Sequence, residues 1–223
     1  MEKVIFLDRD GTLNEEVHYL HRKEDLKLLP GVPEALKQLR DAGYKLVVIT
    51  NQAGVARGYY KESDVEELHR YMNRLLSEQG GGIDAFFYCP HHPEHGIGAY
   101  KKACHCRKPE TGMFEMAQQL FDIDRSASWM IGDKLIDVEA GRRFGLSTVL
   151  VGTGYGAEER RRAENRARMT AWAGIKKTQE RKRQKPGRRA GLMIFTQKPW
   201  KTPPEKFSGR QQMELFHLQK IDN

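Results

Sequence analysis

Two aspartates separated by one residue follow the first apolar run of the chain. Residues 4–7 are Val-Ile-Phe-Leu, and Asp8, Arg9, Asp10 and Gly11 come directly after them. Side chains two positions apart on a strand point the same way, so Asp8 and Asp10 can face one ligand, and Gly11 permits a tight turn close to it. Because close carboxylates repel each other, the pair predicts a divalent cation, and oxygen ligands favour Mg²⁺. A turn rich in Asp and Gly is the alternative that this motif leaves open.

Polar residues also stand at the ends of two later apolar runs. One run ends in Thr50, Asn51 and Gln52, and another is followed by Asp133 and, four positions on, by Asp137. The hydroxyl and amide groups of the first set can bind phosphate oxygens, although an Asx-type turn is the better explanation of that set when it is taken alone. Asp133 is a candidate for a further Mg²⁺ ligand, and the N-cap of the next helix is its structural alternative.

A basic pair precedes the helix that we predict from residue 111. Arg107 and Lys108 stand there with Pro109 after them. They are either a solvated pair of surface charges or a cationic clamp for a phosphoryl group in transfer. The pattern of these two residues does not separate the two hypotheses.

The three cysteines of the chain lie together with a histidine in one loop. Cys89 and His91 form a C-x-H pair, and Cys104 and Cys106 form a C-x-C pair. Four such ligands suit a tetrahedral structural Zn²⁺ with no open position, so we predict a structural and not a catalytic metal. A clip of this kind would fix a zinc loop, residues 89–106, that is otherwise costly to order. A His-rich surface loop with incidental thiols is the alternative.

The elements that must position these residues alternate between strand and helix. Apolar runs predict strands, and periodic segments between them predict helices, one of which carries a capping-box match at Ser63 and Glu66. Such alternation predicts an α/β fold, a doubly wound and mostly parallel Rossmann-like sheet, with ligands at the carboxyl ends of its strands. We predict strands at 4–7, 44–50, 83–88, 128–131 and 147–151.

The charge of the chain is divided unevenly along its length. The net charge of +8 first suggests nucleic acid or anionic membranes as partners. Residues 157–223, however, hold 18 Lys and Arg against 7 Asp and Glu, whereas residues 1–156 hold 20 against 23. A mildly acidic domain therefore carries a basic, Pro-containing tail. We find no apolar run long enough to span a membrane and no secretory signal, and the clustered thiols indicate a reducing cytosol, so we expect a cytoplasmic protein.

Taken together, the strand-end motifs resemble the haloacid dehalogenase superfamily of phosphotransferases over about residues 3–156. The sets D-x-D-G-T and G-D-x-x-x-D, in this order on an α/β pattern, carry the resemblance. It implies that Asp8 attacks phosphorus and forms an aspartyl-phosphate. Asp10 would protonate the leaving oxygen and then activate the water that hydrolyses the intermediate.

The same resemblance implies roles for the surrounding residues. Mg²⁺ would be held by Asp8, the backbone carbonyl of Asp10 and Asp133, with Asp137 orienting the metal site from behind. Two further residues would stabilise the phosphoryl oxygens in the transition state, namely Thr50 and Lys108.

The zinc loop narrows the resemblance to the heptose 1,7-bisphosphate 7-phosphatases of the superfamily, whose histidinol-phosphatase relatives share that loop. The match rests on Cys-Pro-His-His-Pro at 89–93 and Thr-Asn-Gln-Ala-Gly-Val-Ala-Arg-Gly at 50–58. It implies a small monomeric enzyme without a large cap domain that removes the C7 phosphate of a phosphorylated heptose. Arg107 would hold the second phosphate, since a guanidinium matches phosphate bidentately. The implied substrate contacts are Arg9, Tyr19, Asn51, Gln52, Ala53, Arg107 and Lys134.

Alternatives remain for the substrate and for the tail. Histidinol phosphate is the second candidate substrate, and a nucleic-acid 3′-phosphatase that uses the basic tail is the third. The family normally continues with a helix and a further strand, whereas here the chain becomes rich in arginine after residue 156. Residues 157–223 are then a disordered extension, a binding segment for nucleic acid or an anionic surface, or the product of a shifted reading frame.

Overall fold

Five short apolar segments form a parallel sheet at the centre of the protein. The computed structural model describes residues 1–167 and 219–220. The sheet order is β3-β2-β1-β4-β5, and a two-residue strand, β6, pairs antiparallel with the outer edge of β5. The predicted α/β fold with a mostly parallel sheet is therefore confirmed. The strands are β1 (Lys3–Leu7), β2 (Tyr44–Asn51), β3 (Ala85–Cys89), β4 (Trp129–Gly132), β5 (Ser147–Leu150) and β6 (Gln219–Lys220).

Helices connect these strands and cover both faces of the sheet. They are α1 (Val32–Asp41), α2 (Ala53–Ala56), α3 (Glu62–Ser77), α4 (Gly112–Gln118) and α5 (Leu135–Phe144), with single 3₁₀ turns at Lys23–Asp25, Gly98–Tyr100 and Arg125–Ala127. A further helix, α6, begins at 156 and extends to 167 within the described residues. Neither 1–167 nor 219–220 contains a folded domain inserted between these elements, as predicted for an enzyme without a large cap.

The central strands are buried on both sides, which explains their continuous apolar runs. Ile5 and Leu7 pack with α1 and α3 on one face of the sheet. Val4 and Phe6 pack with α4 and α5 on the other face, where the rings of Phe6 and Phe114 meet edge to face with centroids 4.8 Å apart. The two hydrophobic cores hold the sheet rigid beneath the loops at its carboxyl edge.

The strand order places a crevice at one end of the sheet. The chain runs from β1 outward to β2 and β3 on one side, and then returns to β4 and β5 on the other. Leu7 is in register with both Val48 and Ile131, so the residues that follow β1, β2 and β4 converge at one edge. Such a switch in strand order is where open α/β sheets bind ligands.

The predicted capping box at the start of α3 is wrong. The helix begins at Glu62, and the backbone N–H of Lys61 donates to Asp64 Oδ2 at 2.8 Å. The cap therefore lies two residues earlier than Ser63 and Glu66 suggested, because Asp64 is the acidic side chain that reaches back to the first free N–H group. Glu66 instead accepts a hydrogen bond from the hydroxyl of Tyr88 at 3.3 Å.

The helix α6 begins at the predicted domain boundary. Its Glu159 accepts a hydrogen bond from the backbone N–H of Leu135 at 3.2 Å, which joins α6 to the first turn of α5. Residues 168–218 and 221–223, most of the predicted basic tail, lie outside the described residues, so the hypotheses about that tail stay predictions. Over the ranges that the structure does describe, no helix is both long and apolar enough to cross a bilayer.

Candidate active site

A buried lysine joins two of the predicted strand-end aspartates. Lys108 Nζ lies 2.9 Å from Asp8 Oδ1 and 2.7 Å from Asp137 Oδ1, and it donates to the carbonyl of Ile49 at 2.8 Å. Burial acts to lower the pKa of Lys108, but the charges of Asp137 and Asp8 outweigh it and the pKa lies above its ordinary value. Lys108 is therefore charged, with its ammonium group fixed against the Asp8 carboxylate.

The end of β2 holds Lys108 in this position. The side chain of Asn51 donates from Nδ2 to the Lys108 carbonyl and accepts from the Lys108 N–H, both at 3.0 Å. Asp137 is in turn fixed because its Oδ2 accepts from the backbone N–H of Lys134 at 3.0 Å at the start of α5. The site is thus built from β1, β2 and the N-terminus of α5.

A buried carboxylate beside Asp8 has a free oxygen. Asp133 is fully buried; its Oδ2 accepts from the backbone N–H of Tyr155 at 2.9 Å, whereas its Oδ1 has no hydrogen-bond partner. Burial and the nearby charge of Asp8 raise the pKa of Asp133 to about 7. A side chain at Gly11 or Gly154 would overlap Asp133 Oδ2, so both glycines are needed for the close approach of these loops.

These carboxylates fit a hard divalent cation. Oxygen atoms of Asp8, Asp133 and Asp137 all lie within 4.8 Å of one another. Lys134 Nζ lies 3.9 Å from Asp133 Oδ1 and donates no hydrogen bond to it. A buried carboxylate oxygen without a hydrogen bond, beside a second carboxylate, is costly unless a closer cation faces it. Asp137 has both oxygens engaged, Oδ1 by Lys108 and Oδ2 by the backbone N–H of Lys134, whereas Lys108 contacts only Oδ1 of Asp8. Asp8 and Asp133 are therefore the side chains with an oxygen left for the metal.

The second aspartate of the β1 motif lies in a network of donors. Asp10 accepts from Arg9 through both carboxylate oxygens, at 3.0 and 2.8 Å, and from Asn14 and Gln52 at 3.1 Å each. Burial acts to raise the pKa of Asp10, but the charge of Arg9 and these hydrogen bonds hold it below its ordinary value. Thr50, also buried, accepts from Gln52 at 2.9 Å and so belongs to the same network.

Arg9 does not occupy the position predicted for a substrate contact. Its side chain is fully buried and points behind Asp10, toward the carbonyl of Leu20, Gln52 and His69. Alternation along the extended chain explains this difference, because the residue between Asp8 and Asp10 must point to the opposite side. The structure places Arg9 as a support for Asp10 and not as a wall of the cavity.

A cavity of about 270 Å³ opens above Asp10 at the carboxyl edge of the sheet. Five of the seven predicted substrate contacts line it, namely Tyr19, Asn51, Gln52, Ala53 and Lys134. Arg107 is not among the lining residues, and its Nη1 donates to the carbonyl of His91 at 3.0 Å in the zinc loop. Four further residues complete the wall and were not predicted as contacts, namely Glu16, His18, Tyr60 and Tyr155.

Electrostatic contacts link three of these additional residues to Lys134, whereas the hydroxyl of Tyr60 donates to Gln52 Oε1 at 2.8 Å. Lys134 Nζ lies 3.4 Å from Glu16 Oε2 and 4.7 Å from the centroid of the Tyr155 ring. Tyr155 in turn contacts His18 through its hydroxyl at 3.3 Å. Tyr155 follows β5 at the carboxyl edge, so the strand-end rule that located Asp133 could also have found it.

The predicted zinc ligands converge as four neighbouring atoms. The ligand atoms of Cys89, His91, Cys104 and Cys106 lie within 4.8 Å of one another, and His91 Nδ1 is 3.7 Å from Cys89 Sγ and 3.9 Å from Cys106 Sγ. Tetrahedral zinc with bonds of about 2.1–2.3 Å requires ligand separations of roughly 3.4–3.8 Å. Cys104 Sγ and Cys106 Sγ lie 2.9 Å apart, so these two thiols would have to separate to reach that spacing. The types and grouping of the four ligands suit zinc, whereas the neighbouring His105 contacts Glu115 at 2.9 Å.

Comparison with known proteins places this arrangement in a family. A model of haloacid dehalogenase-like hydrolases matches residues 5–68, and a HAD-hydrolase-like model matches residues 105–172. The chain is 48% identical over 155 residues to a Haemophilus ducreyi protein named D-glycero-beta-D-manno-heptose-1,7-bisphosphate 7-phosphatase, an alignment that covers 69% of this chain and 85% of the relative. The chain belongs to this phosphatase family of the haloacid dehalogenase-like hydrolases. It is a phosphatase, as the strand-end motifs predicted.

Two further relatives of this phosphatase add detail. It is 44% identical over 158 residues to a Photorhabdus laumondii protein named as a phosphatase of the alpha anomer, with 70% of this chain and 86% of that one covered. A solved heptose bisphosphate phosphatase of B. bronchiseptica, complexed with magnesium and phosphate, superposes with a TM-score of 0.65 at 34% identity and covers 72% of this chain and 86% of its own. The relatives thus include names for both anomers of the sugar.

Proposed function

We propose that this phosphatase removes the C7 phosphate of D-glycero-D-manno-heptose 1,7-bisphosphate through an aspartyl-phosphate on Asp8. The observation that carries this proposal is the Asp8 carboxylate, whose Oδ1 lies 2.9 Å from Lys108 Nζ and which stands two residues before Asp10, a lining residue of the cavity. The names of the similar proteins support the heptose substrate.

Asp8, the backbone carbonyl of Asp10 and Asp133 would hold Mg²⁺ in the working enzyme. The B. bronchiseptica relative was solved with magnesium and phosphate, and the unpartnered Oδ1 of Asp133 supports the same metal here. When bound, the cation supplies positive charge that offsets the repulsion between the Asp8 carboxylate and an anionic phosphate.

The protein's own residues then carry two displacements. In the first, Asp8 forms a bond to phosphorus while the bond from phosphorus to the sugar oxygen breaks. Asp10, which takes up a proton when the negative charge of the substrate binds beside it, gives that proton to the leaving oxygen. In the second, Asp10 takes a proton from water, the water oxygen bonds to phosphorus, and the bond to Asp8 breaks. Lys108 and Thr50 would stabilise the phosphoryl oxygens during both steps.

The walls of the cavity would bind the rest of the substrate. Lys134 offers a positive charge, and Tyr19, Asn51 and Ala53 present polar and apolar surface at the rim. We assign the second phosphate to Arg107, which retains guanidinium donors beyond the one that contacts His91. A substrate with two phosphates would thus be held at both ends.

A panel of four substrates tests this function. We expect the full-length protein with Mg²⁺ to show a kcat/KM for heptose 1,7-bisphosphate at least tenfold above that for heptose 7-phosphate, histidinol phosphate or 3′-phosphorylated DNA. Phosphorus NMR of the product should show that the C1 phosphate remains. A preference for histidinol phosphate, or salt-sensitive cleavage of DNA ends, would overturn the assignment and favour one of the other two hypotheses.

We further propose that Cys89, His91, Cys104 and Cys106 hold a structural zinc ion. Three of the ligands pack within the hydrophobic core beneath α4, so the ion would staple the zinc loop to the sheet. Arg107 and Lys108 follow the last ligand directly, and the staple would therefore set the position of both cationic residues. A closed set of four ligands leaves no position for substrate.

Removing one zinc ligand is expected to affect both metal content and turnover. The change Cys104→Ser should reduce bound zinc from one equivalent to less than about 0.2. It should also lower kcat by about tenfold or more, because loss of the staple would loosen the loop that positions Arg107 and Lys108, and a displacement of about 1 Å near the reacting atoms can cost about a hundredfold. The measurements are elemental analysis of purified protein and steady-state kinetics.

A neighbouring histidine provides the matched control for that variant. His105 lies between two ligands but contacts Glu115, so His105→Gln should retain one equivalent of zinc. Zinc-free wild-type protein with full activity would contradict the proposal.

We also propose that the protein is a monomer, that it acts in the cytoplasm and that it does not bind nucleic acid. Sedimentation of the full chain at several concentrations tests the first of them. The DNA arm of the substrate panel tests the last.

A further inference from the structure

A histidine is buried behind the acid/base aspartate. His69 lies on the core-facing side of α3, four residues after Val65 and three before Met72, and it is only 4% exposed. Its ring stacks on Phe86 with centroids 4.7 Å apart. A polar side chain inside an apolar helical face requires a hydrogen-bond partner to offset its burial.

That partner is the guanidinium group of Arg9. His69 Nε2 lies 3.3 Å from Arg9 Nη1. Because a guanidinium group has only donors, Nε2 must accept, and the ring proton must be on Nδ1. Burial and the charge of Arg9 lower the pKa of His69 to about 3, which keeps the ring neutral and able to accept.

Arg9 transmits this contact to Asp10. Its Nε and Nη2 bind the two oxygens of Asp10 at 3.0 and 2.8 Å, and Nη2 also reaches the carbonyl of Leu20 and Gln52 Oε1 at 3.2 Å each. A two-point contact fixes the plane of the carboxylate relative to the plane of the guanidinium. On the opposite side of Arg9, His69 is the group that fixes Nη1.

We infer that His69 is a positioning residue, which aims the Asp10 carboxyl group at the leaving oxygen by fixing the plane of Arg9. The inference rests on the proposed acid/base role of Asp10. The carboxylate is 18% exposed, so only a small part of it faces the cavity. A shift of about 1 Å in such a group can cost about a hundredfold in rate.

The test compares leaving groups. A sugar alkoxide is a strong base that needs a proton from Asp10 as it leaves, whereas 4-nitrophenolate leaves without one. We expect His69→Phe, which keeps a ring on Phe86 but removes the acceptor, to lower kcat/KM about tenfold or more for heptose bisphosphate and less than about threefold for 4-nitrophenyl phosphate. His69→Gln, which restores an acceptor, should recover most of the loss.

Two reference variants keep the test decisive. Asp10→Asn should show a larger loss of kcat/KM for heptose bisphosphate and again little loss for 4-nitrophenyl phosphate. If His69→Phe does not fold, Arg9→Lys should show the same selective loss, because it keeps the positive charge but loses the two-point contact with Asp10. Equal losses on both substrates, or no loss on either, would overturn the positioning role. If the wild type cleaves 4-nitrophenyl phosphate but not heptose bisphosphate, the proposed function fails instead, and glycerol phosphate then serves as the alkyl substrate for the same comparison.

Discussion

Replacing Asp8 with asparagine is expected to lower kcat by about 10⁴-fold or more, the scale seen when an enzyme loses its nucleophile. The amide is almost the same size as the carboxylate and can still accept a hydrogen bond from Lys108, so the site should keep its shape. An amide oxygen, however, is too weak a nucleophile to form the covalent intermediate. Phosphate release under saturating substrate and Mg²⁺ is the measurement.

A surface aspartate supplies the matched control for this variant. Asp41 pairs with Lys37 on α1 and its side chain is 64% exposed, so Asp41→Asn should leave kcat unchanged within about twofold. The circular dichroism spectra of both variants should match that of the wild type. If Asp8→Asn turns over substrate at a near-normal rate, the aspartyl-phosphate mechanism is wrong.

Replacing Lys108 with methionine is expected to damage activity and stability together. The change leaves Asp8 and Asp137 buried without their shared cation, and breaking a buried ion pair costs about 3–5 kcal/mol of unfolding free energy. It also removes a positive charge from the phosphoryl oxygens, worth about 10²–10³-fold in rate. Denaturant unfolding and kcat/KM measure the two effects separately.

Two comparisons identify the cause of the Lys108 effect. Lys37→Met removes an exposed partner of Asp41 and should change the unfolding free energy by less than about 0.5 kcal/mol. Adding Asp137→Asn to Lys108→Met removes one of the unpaired charges and should recover part of the stability but none of the activity. A Lys108→Met protein that keeps normal kcat/KM would show that Lys108 is only a structural counter-ion.

Several residues of the reacting centre could be predicted from the sequence because they lie at the carboxyl ends of predicted strands. Asp8, Thr50 and Asp133 each follow an apolar run, and parallel strands bring their carboxyl ends to one edge whatever the detailed packing. The grouping of Cys89, His91, Cys104 and Cys106 was predictable for a different reason, since two close pairs of Cys and His in one loop are typical of a tetrahedral metal site.

The contacts of Lys108 and Asp137 required the structure. The sequence placed Lys108 near phosphate and Asp137 behind the metal, but their 2.7 Å contact joins residues 29 positions apart. The same Asp137 also caps α5 through Lys134. A local capping pattern and a long-range ion pair can share one carboxylate, and only the second of them depends on the packing of α5 against the site.

The contacts of two basic residues, Arg9 and Arg107, could not be predicted from the sequence. The motif around Arg9 and the spacing of Arg107 after the zinc ligands both suggested contact with substrate. In the structure Arg9 supports Asp10 from behind, and Arg107 uses one guanidinium donor on the carbonyl of His91 while its other donors remain for the second phosphate proposed above. A charged side chain near a motif contacts the carboxylate or carbonyl group that the fold brings closest to it. The distance between two such groups depends on the tertiary structure and cannot be read from the sequence.

The α/β class followed from the amino-acid sequence, and roles for the aspartates and ligands for the metals could be predicted from it, because strand periodicity and ligand type are local properties of the chain. The side of Asp10 that contacts Arg9 and the side that faces the cavity became apparent in the folded structure alone. This arrangement includes His69 on α3, which contacts Arg9 although the two residues are sixty positions apart in the chain. Packing between elements that are distant in the chain fixes the direction in which each side chain points. That direction determines whether a residue lines the cavity or supports a residue that does.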